Sequence, residues 1–162
     1  MSASTTKARG KTATNPTTGQ RTGLFIGSYT IGSMLPGAPL LTVHLTFAAP
    51  TGAVAGLGQV TQAVNPPLDI PSRLDGDYTY MTVMPDTSHI LVTLTGHPVV
   101  NWPQFGGIGP VVAPNLNLRM VLDADWQRGT ATFQYLTAAG TWEQVESATV
   151  QKITSVNVAG KP

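Results

Sequence analysis

The sequence predicts an all-β fold, an antiparallel meander of about eight strands forming a barrel or a sandwich. Three observations carry that expectation. Short runs alternate apolar and polar residues with a period of two, Gly, Pro, Asn and Asp cluster between the runs, and no convincing helix separates them. Parallel strands would need long crossovers, so the pairing is expected to be mainly antiparallel. Composition agrees, because about one residue in seven is Thr, whose branched Cβ favours strands, and 17 Gly with 13 Pro supply turns.

Taken in order, residues 1–22 (MSASTTKARGKTATNPTTGQRT) hold Lys7, Arg9, Lys11 and Arg21, no acid, and no large apolar residue after Met1. Such a segment cannot bury enough apolar surface to offset the entropy of ordering, so a disordered basic arm is expected. It lacks the apolar core of a secretory signal, although its basic, Ser/Thr-rich character loosely matches organellar transit peptides. A single domain is expected over 23–158, with a short tail over 159–162.

Within the domain the clearest strand sets Leu41, Val43, Leu45 and Phe47 against Thr42, His44 and Thr46. Ile90, Val92 and Leu94 alternate with His89, Thr93 and Thr95 in the same way, as do Leu116, Leu118, Met120 and Leu122 with Asn117, Arg119 and Asp123. Ala131, Phe133 and Tyr135 alternate with Thr130, Thr132 and Gln134. Less regular candidates are 23–32, 53–64, 77–84 and 141–154. Hairpin turns are expected at Pro50-Thr51-Gly52, Pro85-Asp86-Thr87-Ser88, Gln127-Arg128-Gly129 and Ala138-Ala139-Gly140. Two long connections remain, 65–76 and 96–115, and loops of that length usually carry function or cap a barrel end.

Charge narrows the function classes. Only 10% of residues are charged, against about 25% in a typical domain. The arm's four basic residues leave five against the chain's eight acids, about −3 on the folded part. That balance disfavours nucleic-acid binding by the domain, leaving at most weak, salt-sensitive binding through the arm. With no Cys there is no thiol catalysis, disulfide or Cys-based zinc site. No stretch reaches the 18 apolar residues of a membrane-spanning helix, so a cytoplasmic protein without membrane insertion is expected.

The candidate ligand site lies on the second long connection. His97, Asn101, Trp102, Gln104 and Phe105 combine rings with amides beside Gly106-Gly107-Ile108-Gly109, a group that could stack on a sugar or small apolar ligand. Tyr78 and Tyr80 extend the same candidate set. A loop plug closing one end of the sheet assembly, anchored by Trp102 and Phe105, is the favoured reading of these residues. The glycines are no phosphate loop, because neither Lys-Ser/Thr nor a helix follows.

Asp75-Gly76-Asp77 and Asp123-Ala124-Asp125 each place two carboxylates two apart, but no further calcium ligands follow either pair, and solvated turn carboxylates are expected. His44, His89 and His97 have no metal-pairing spacing, and no Gly-x-Ser-x-Gly elbow occurs. No catalytic residue, metal or cofactor is therefore expected. A hydrolase or isomerase would have to use Asp75, Asp77, Asp123 or Arg119 in a barrel mouth. Thr-rich, weakly charged faces such as Thr93/Thr95 and Thr130/Thr132 could instead pack against another subunit.

The stretch GLGQVTQAVNPPLDIPSRLDGDYTYMTVMPDTSHILVTLTGHP, with NWP at 101–103, GIGPV at 107–111 and NLRMVLDADWQRGTATFQY at 117–135, resembles a family of small bacterial proteins catalogued only as a domain of unknown function. The resemblance covers about residues 23–153 and implies one compact domain of bacterial type, with no established activity to carry over. The expected function is a non-enzymatic binding or self-assembling β-domain, possible partners being a second copy or a small molecule or carbohydrate. A ligand-binding module using 96–115 is the first alternative, and a carboxylate enzyme the second.

Overall fold

A computed structural model describes residues 23–84, 87–100 and 112–154. Eight antiparallel strands close into a barrel, which settles barrel against sandwich: β1 (Leu24–Ile31), β2 (Leu40–Ala48), β3 (Ala53–Gln62), β4 (Leu68–Val83), β5 (Thr87–Pro98), β6 (Leu116–Asp123), β7 (Arg128–Leu136) and β8 (Trp142–Lys152). Spatial order equals chain order, and β8 returns to pair with β1. The expected arm, residues 1–22, lies outside the described residues.

The alternation in sequence is the alternation across the barrel wall. Leu41, Val43, Leu45 and Phe47 point inward and are fully buried, while His44 between them is exposed. Ile90, Val92 and Leu94 sit beside Leu122, Met120 and Leu118 of neighbouring β6 and, with Leu116, Ala131 and Phe133, fill the same interior. The barrel is thus filled by side chains, as expected for about eight strands.

The segment expected as a connection over 65–76 is instead mostly strand. β4 starts at Leu68 and runs through Pro71 and Asp75-Gly76-Asp77. Pro71 is tolerated because β4 pairs with β5 only from Ser72, opposite Pro98, so Pro71 has a strand neighbour on one side alone, Gln59 of β3. Asp75 and Asp77 are accordingly strand residues on the outer face, not turn carboxylates. The second connection starts after Pro98, since 96–98 belong to β5.

Buried Asn115 fastens the return of that connection. Its side-chain oxygen accepts from the buried Ser72 hydroxyl at 2.9 Å, its N–H donates to Gly96 O at 2.8 Å, and its carbonyl accepts from Leu136 N–H at 2.9 Å. One residue thereby ties β4, β5 and β7 together.

Gly76 sets a close approach between β4 and β5. A Cβ there would collide with the Thr93 carbonyl on β5, so only glycine lets the two backbones approach this closely. Past Gly76, β4 outruns its neighbour β3, whose last pair with it is Ala53 with Asp77. Among the described residues the closing seam is short: Tyr29, Thr30 and Ile31 of β1 pair with Lys152, Gln151 and Val150 of β8, flanked by hydrogen bonds from Gly32 N–H to Thr149 O and from Ile153 N–H to Ser28 O.

Candidate functional site

Five aromatic rings cap the barrel end formed by the start of β1 and the later part of β4. Phe25 and Phe47 stack at 4.8 Å, and Trp126 meets both edge-on at 4.7 and 5.1 Å. Tyr78 and Tyr80 approach the Trp126 indole from β4 at 5.5 and 6.3 Å. Such edge-to-face pairs add about 0.5–1.5 kcal/mol each beyond their buried area. Burial raises the Tyr78 hydroxyl above its usual pKa, and neighbouring Tyr80 adds to the effect.

Trp126 reaches this position by adopting a left-handed backbone, φ 63°, in the β6–β7 turn. Few large residues accept that conformation. The turn is held by Trp126 N–H donating to Asp123 O at 2.9 Å, by Gln127 N–H donating to the Asp125 carboxylate at 2.9 Å, and by the buried Tyr29 hydroxyl donating to Trp126 O at 3.1 Å. Burial pushes the Tyr29 pKa up to about 12, with Asp125 contributing a smaller part.

Of the sequence-expected ligand residues the structure describes three, and His97 does not lie with Tyr78 and Tyr80. Tyr78 packs against the core as part of the aromatic cap, and the more exposed Tyr80 joins the cap at its rim. His97 lies on the outer face opposite Arg73, five β4 positions and so roughly 17 Å of strand away from Tyr78. Asn101, Trp102, Gln104 and Phe105 lie outside the described residues. The described ends of their connection, Val99, Val100 and Val112, line an outer-face groove of about 840 Å³ with Leu57, Arg73 and His97.

Nor do the candidate carboxylates meet in a barrel mouth. Asp75, Asp123 and Arg119 alternate with inward Leu74, Leu122 and Leu118, and the two-residue period puts them outside, as it does Asp77 next to inward Gly76. His89 Nδ1 stands 3.7 Å from Asp123, beyond hydrogen-bond reach, and His44 bonds Ser28 at 2.7 Å. Among the described residues no cluster of His, Asp and Glu could hold a metal ion.

A feature missed in the sequence is the charge distribution around the wall. Every Asp, Glu, Lys and Arg of the described residues falls at position 69 or later, so β1, β2 and β3 carry none. Their outward residues form cross-strand rows Leu24-Ala48-Ala53, Ile26-Thr46-Ala55 and Ser28-His44-Leu57. Leu24, Ile26 and Leu57 in these rows are 69%, 73% and 57% exposed. Scanning the sequence for its longest charge-free run, 22–68, would have found this face.

No curated protein matches the chain. A family model does match residues 22–142, a span that covers β1 to β7 and stops at the first residue of β8. The chain belongs to that family, described as a domain of unknown function (DUF1842).

Proposed function

We propose that the protein is a non-enzymatic β-barrel module that associates with copies of itself in the cytoplasm. The observation that carries this reading is the charge-free outer face of β1–β3. Exposed Leu24, Ile26 and Leu57 stand there among Ala and Thr, with none of the Lys or Glu that normally keeps a sheet surface apart from its neighbours. Covering a mostly exposed Leu or Ile is worth about 1–2 kcal/mol, so three such side chains on each of two copies supply roughly 6–12 kcal/mol. Association itself costs roughly 4–15 kcal/mol, which makes this face a weak, concentration-dependent contact.

Light scattering on the full chain from micromolar to millimolar concentration tests it. The mass should rise above 17.0 kDa with concentration, and Leu57→Arg should return it to the monomer without loss of fold. A single 17.0 kDa species throughout removes the reading.

A second reading, small-molecule or carbohydrate binding, is favoured by the groove of about 840 Å³ that joins His97 and Arg73 to the ends of the 99–115 connection. Titration of neutral oligosaccharides should then perturb the His97 imidazole in NMR spectra. An unchanged His97 signal at millimolar sugar argues against it.

A further inference from the structure

We propose that the projecting end of β4 pairs edge to edge with the same segment of a second copy, Thr79–Val83 forming an antiparallel ladder about a two-fold axis at Met81. This rests on self-association and names its contact.

The pairing ranges expose the edge. On its β5 side β4 is matched as far as Val83 with Thr87, but on its β3 side the ladder ends at Ala53 with Asp77. Tyr78 N–H donates to Gly52 O at 2.9 Å, and among the described residues nothing pairs with Thr79–Val83 beyond it. One row of backbone N–H and C=O groups is therefore left without a strand partner.

The barrel has a second open edge, and the contrast between them is informative. Because, among the described residues, β1 and its flanking Gly32 meet only Thr149–Ile153 at the end of β8, the earlier part of β8 also lacks a neighbour on one side. That edge carries Glu143 and Glu146, and Ser147 interrupts it with φ 54° at a register shift in the pairing with β7. Charges and bulges are the devices that stop edge strands from recruiting another strand. Thr79-Tyr80-Met81-Thr82-Val83 has neither, nor any Pro or Gly, and its residue types favour strands. Tyr80, Val83 and the adjoining Met84 are 59%, 47% and 85% exposed.

A second copy fits this edge better than a charged partner does. In the one register that pairs all five residues, Thr79 faces Val83, Tyr80 faces Thr82 and Met81 faces its twin, so every opposed pair is uncharged. The edge also opens on the β3 side, beside the Leu24-Ala48-Ala53 row that ends the charge-free face. That face spans roughly 14 by 26 Å from strand spacing and rise, on the order of 400 Å². A standard interface covers about 800 Å² per partner, so the face needs the tip beside it to make a lasting contact.

The chain has no cysteine, so Met81→Cys places a single thiol on the proposed axis. Directly opposed residues of an antiparallel pair hold their Cβ atoms about 4.5–5.5 Å apart, close to what a disulfide spans. Mild oxidation of the full chain should convert most of the Met81→Cys protein to a covalent dimer. Thr79→Cys, whose twin would sit roughly 13 Å away, should stay uncrosslinked, and combining it with Val83→Cys should restore the link.

Equal cross-linking of Thr79→Cys and Met81→Cys would mean random collision and overturn the proposal. So would a Met81→Cys protein that assembles by light scattering yet does not cross-link; the edge would then belong to another occupant, such as residues 1–22, while self-association stood. Monomer at every concentration would remove both.

Discussion

Trp126 holds an unfavourable backbone conformation in exchange for a buried indole, and that trade can be measured. Trp126 is 9% exposed and touches four rings, those of Phe25, Phe47, Tyr78 and Tyr80. Removing a buried large aromatic to Ala costs about 3–5 kcal/mol. Here Phe25, Tyr78 and Tyr80 lie at the barrel rim and can partly close over the gap, which favours the middle of that range, about 4 kcal/mol. Ala would keep the strain of φ 63°, a non-glycine residue held in the left-handed region at a cost of about 1–2 kcal/mol. Trp126→Gly loses the same ring but releases that strain, so it should be about 1 kcal/mol more stable than Trp126→Ala. This reverses the usual ranking, in which Gly is the worse substitute. Urea unfolding of both variants followed by far-UV circular dichroism gives the two values without relying on the deleted fluorophore. A loss below about 1.5 kcal/mol for Trp126→Ala would show that the indole is not the keystone of the cap. A Gly variant less stable than the Ala variant would refute the strain argument.

Two further outcomes follow from the same geometry. Gly76→Ala drives a methyl group into the Thr93 backbone carbonyl and should cost more than about 3 kcal/mol, whereas Gly23→Ala, with nothing within 4 Å of the added carbon, should be near neutral in the same unfolding assay. The Tyr29 hydroxyl, ordinarily near pKa 10.0, titrates at about 12 in the folded protein, so the native state holds its proton where the unfolded chain loses it. Stability should therefore be unaffected by this group below about pH 10 and fall between about pH 10 and 12 by on the order of 3 kcal/mol. Tyr29→Phe should abolish that alkaline loss relative to wild type.

Much of the barrel was legible because the interior is built from a strict two-residue alternation. Leu41 to Phe47 and Leu116 to Leu122 announce both their strands and their buried faces. β4 was harder to see. Leu68, Ile70 and Leu74 do alternate with Asp69, Pro71 and Arg73, but Pro71 and the inward Ser72 break the pattern that propensity recognises. What makes them acceptable is a missing neighbour strand and a buried hydrogen bond to Asn115, neither of which is local in sequence. The candidate site was less legible for a related reason. Tyr78 and Tyr80 could be singled out as aromatic, but their partners Phe25, Phe47 and Trp126 come from distant elements brought together by closure. His97 sits in a neighbouring sequence stretch and yet on the other side of the wall, because a single odd step along a strand changes the face. Trp126 gave no sequence signal for its left-handed backbone, a conformation that its residue type rarely adopts.

The short seam between β1 and β8 also bears on how the barrel comes into being. Seven of the eight strand pairings join sequence neighbours, so each can form as a hairpin or a hairpin extension with little chain entropy lost. Only the last brings together segments more than a hundred residues apart, and its ladder has three residue pairs with one further backbone hydrogen bond at each end, Gly32 N–H to Thr149 O and Ile153 N–H to Ser28 O. A curled, open sheet with every other contact in place therefore stands one small step from the native ring. Closure is therefore expected to be the late event in folding and, run backward, the first opening through which solvent reaches the interior.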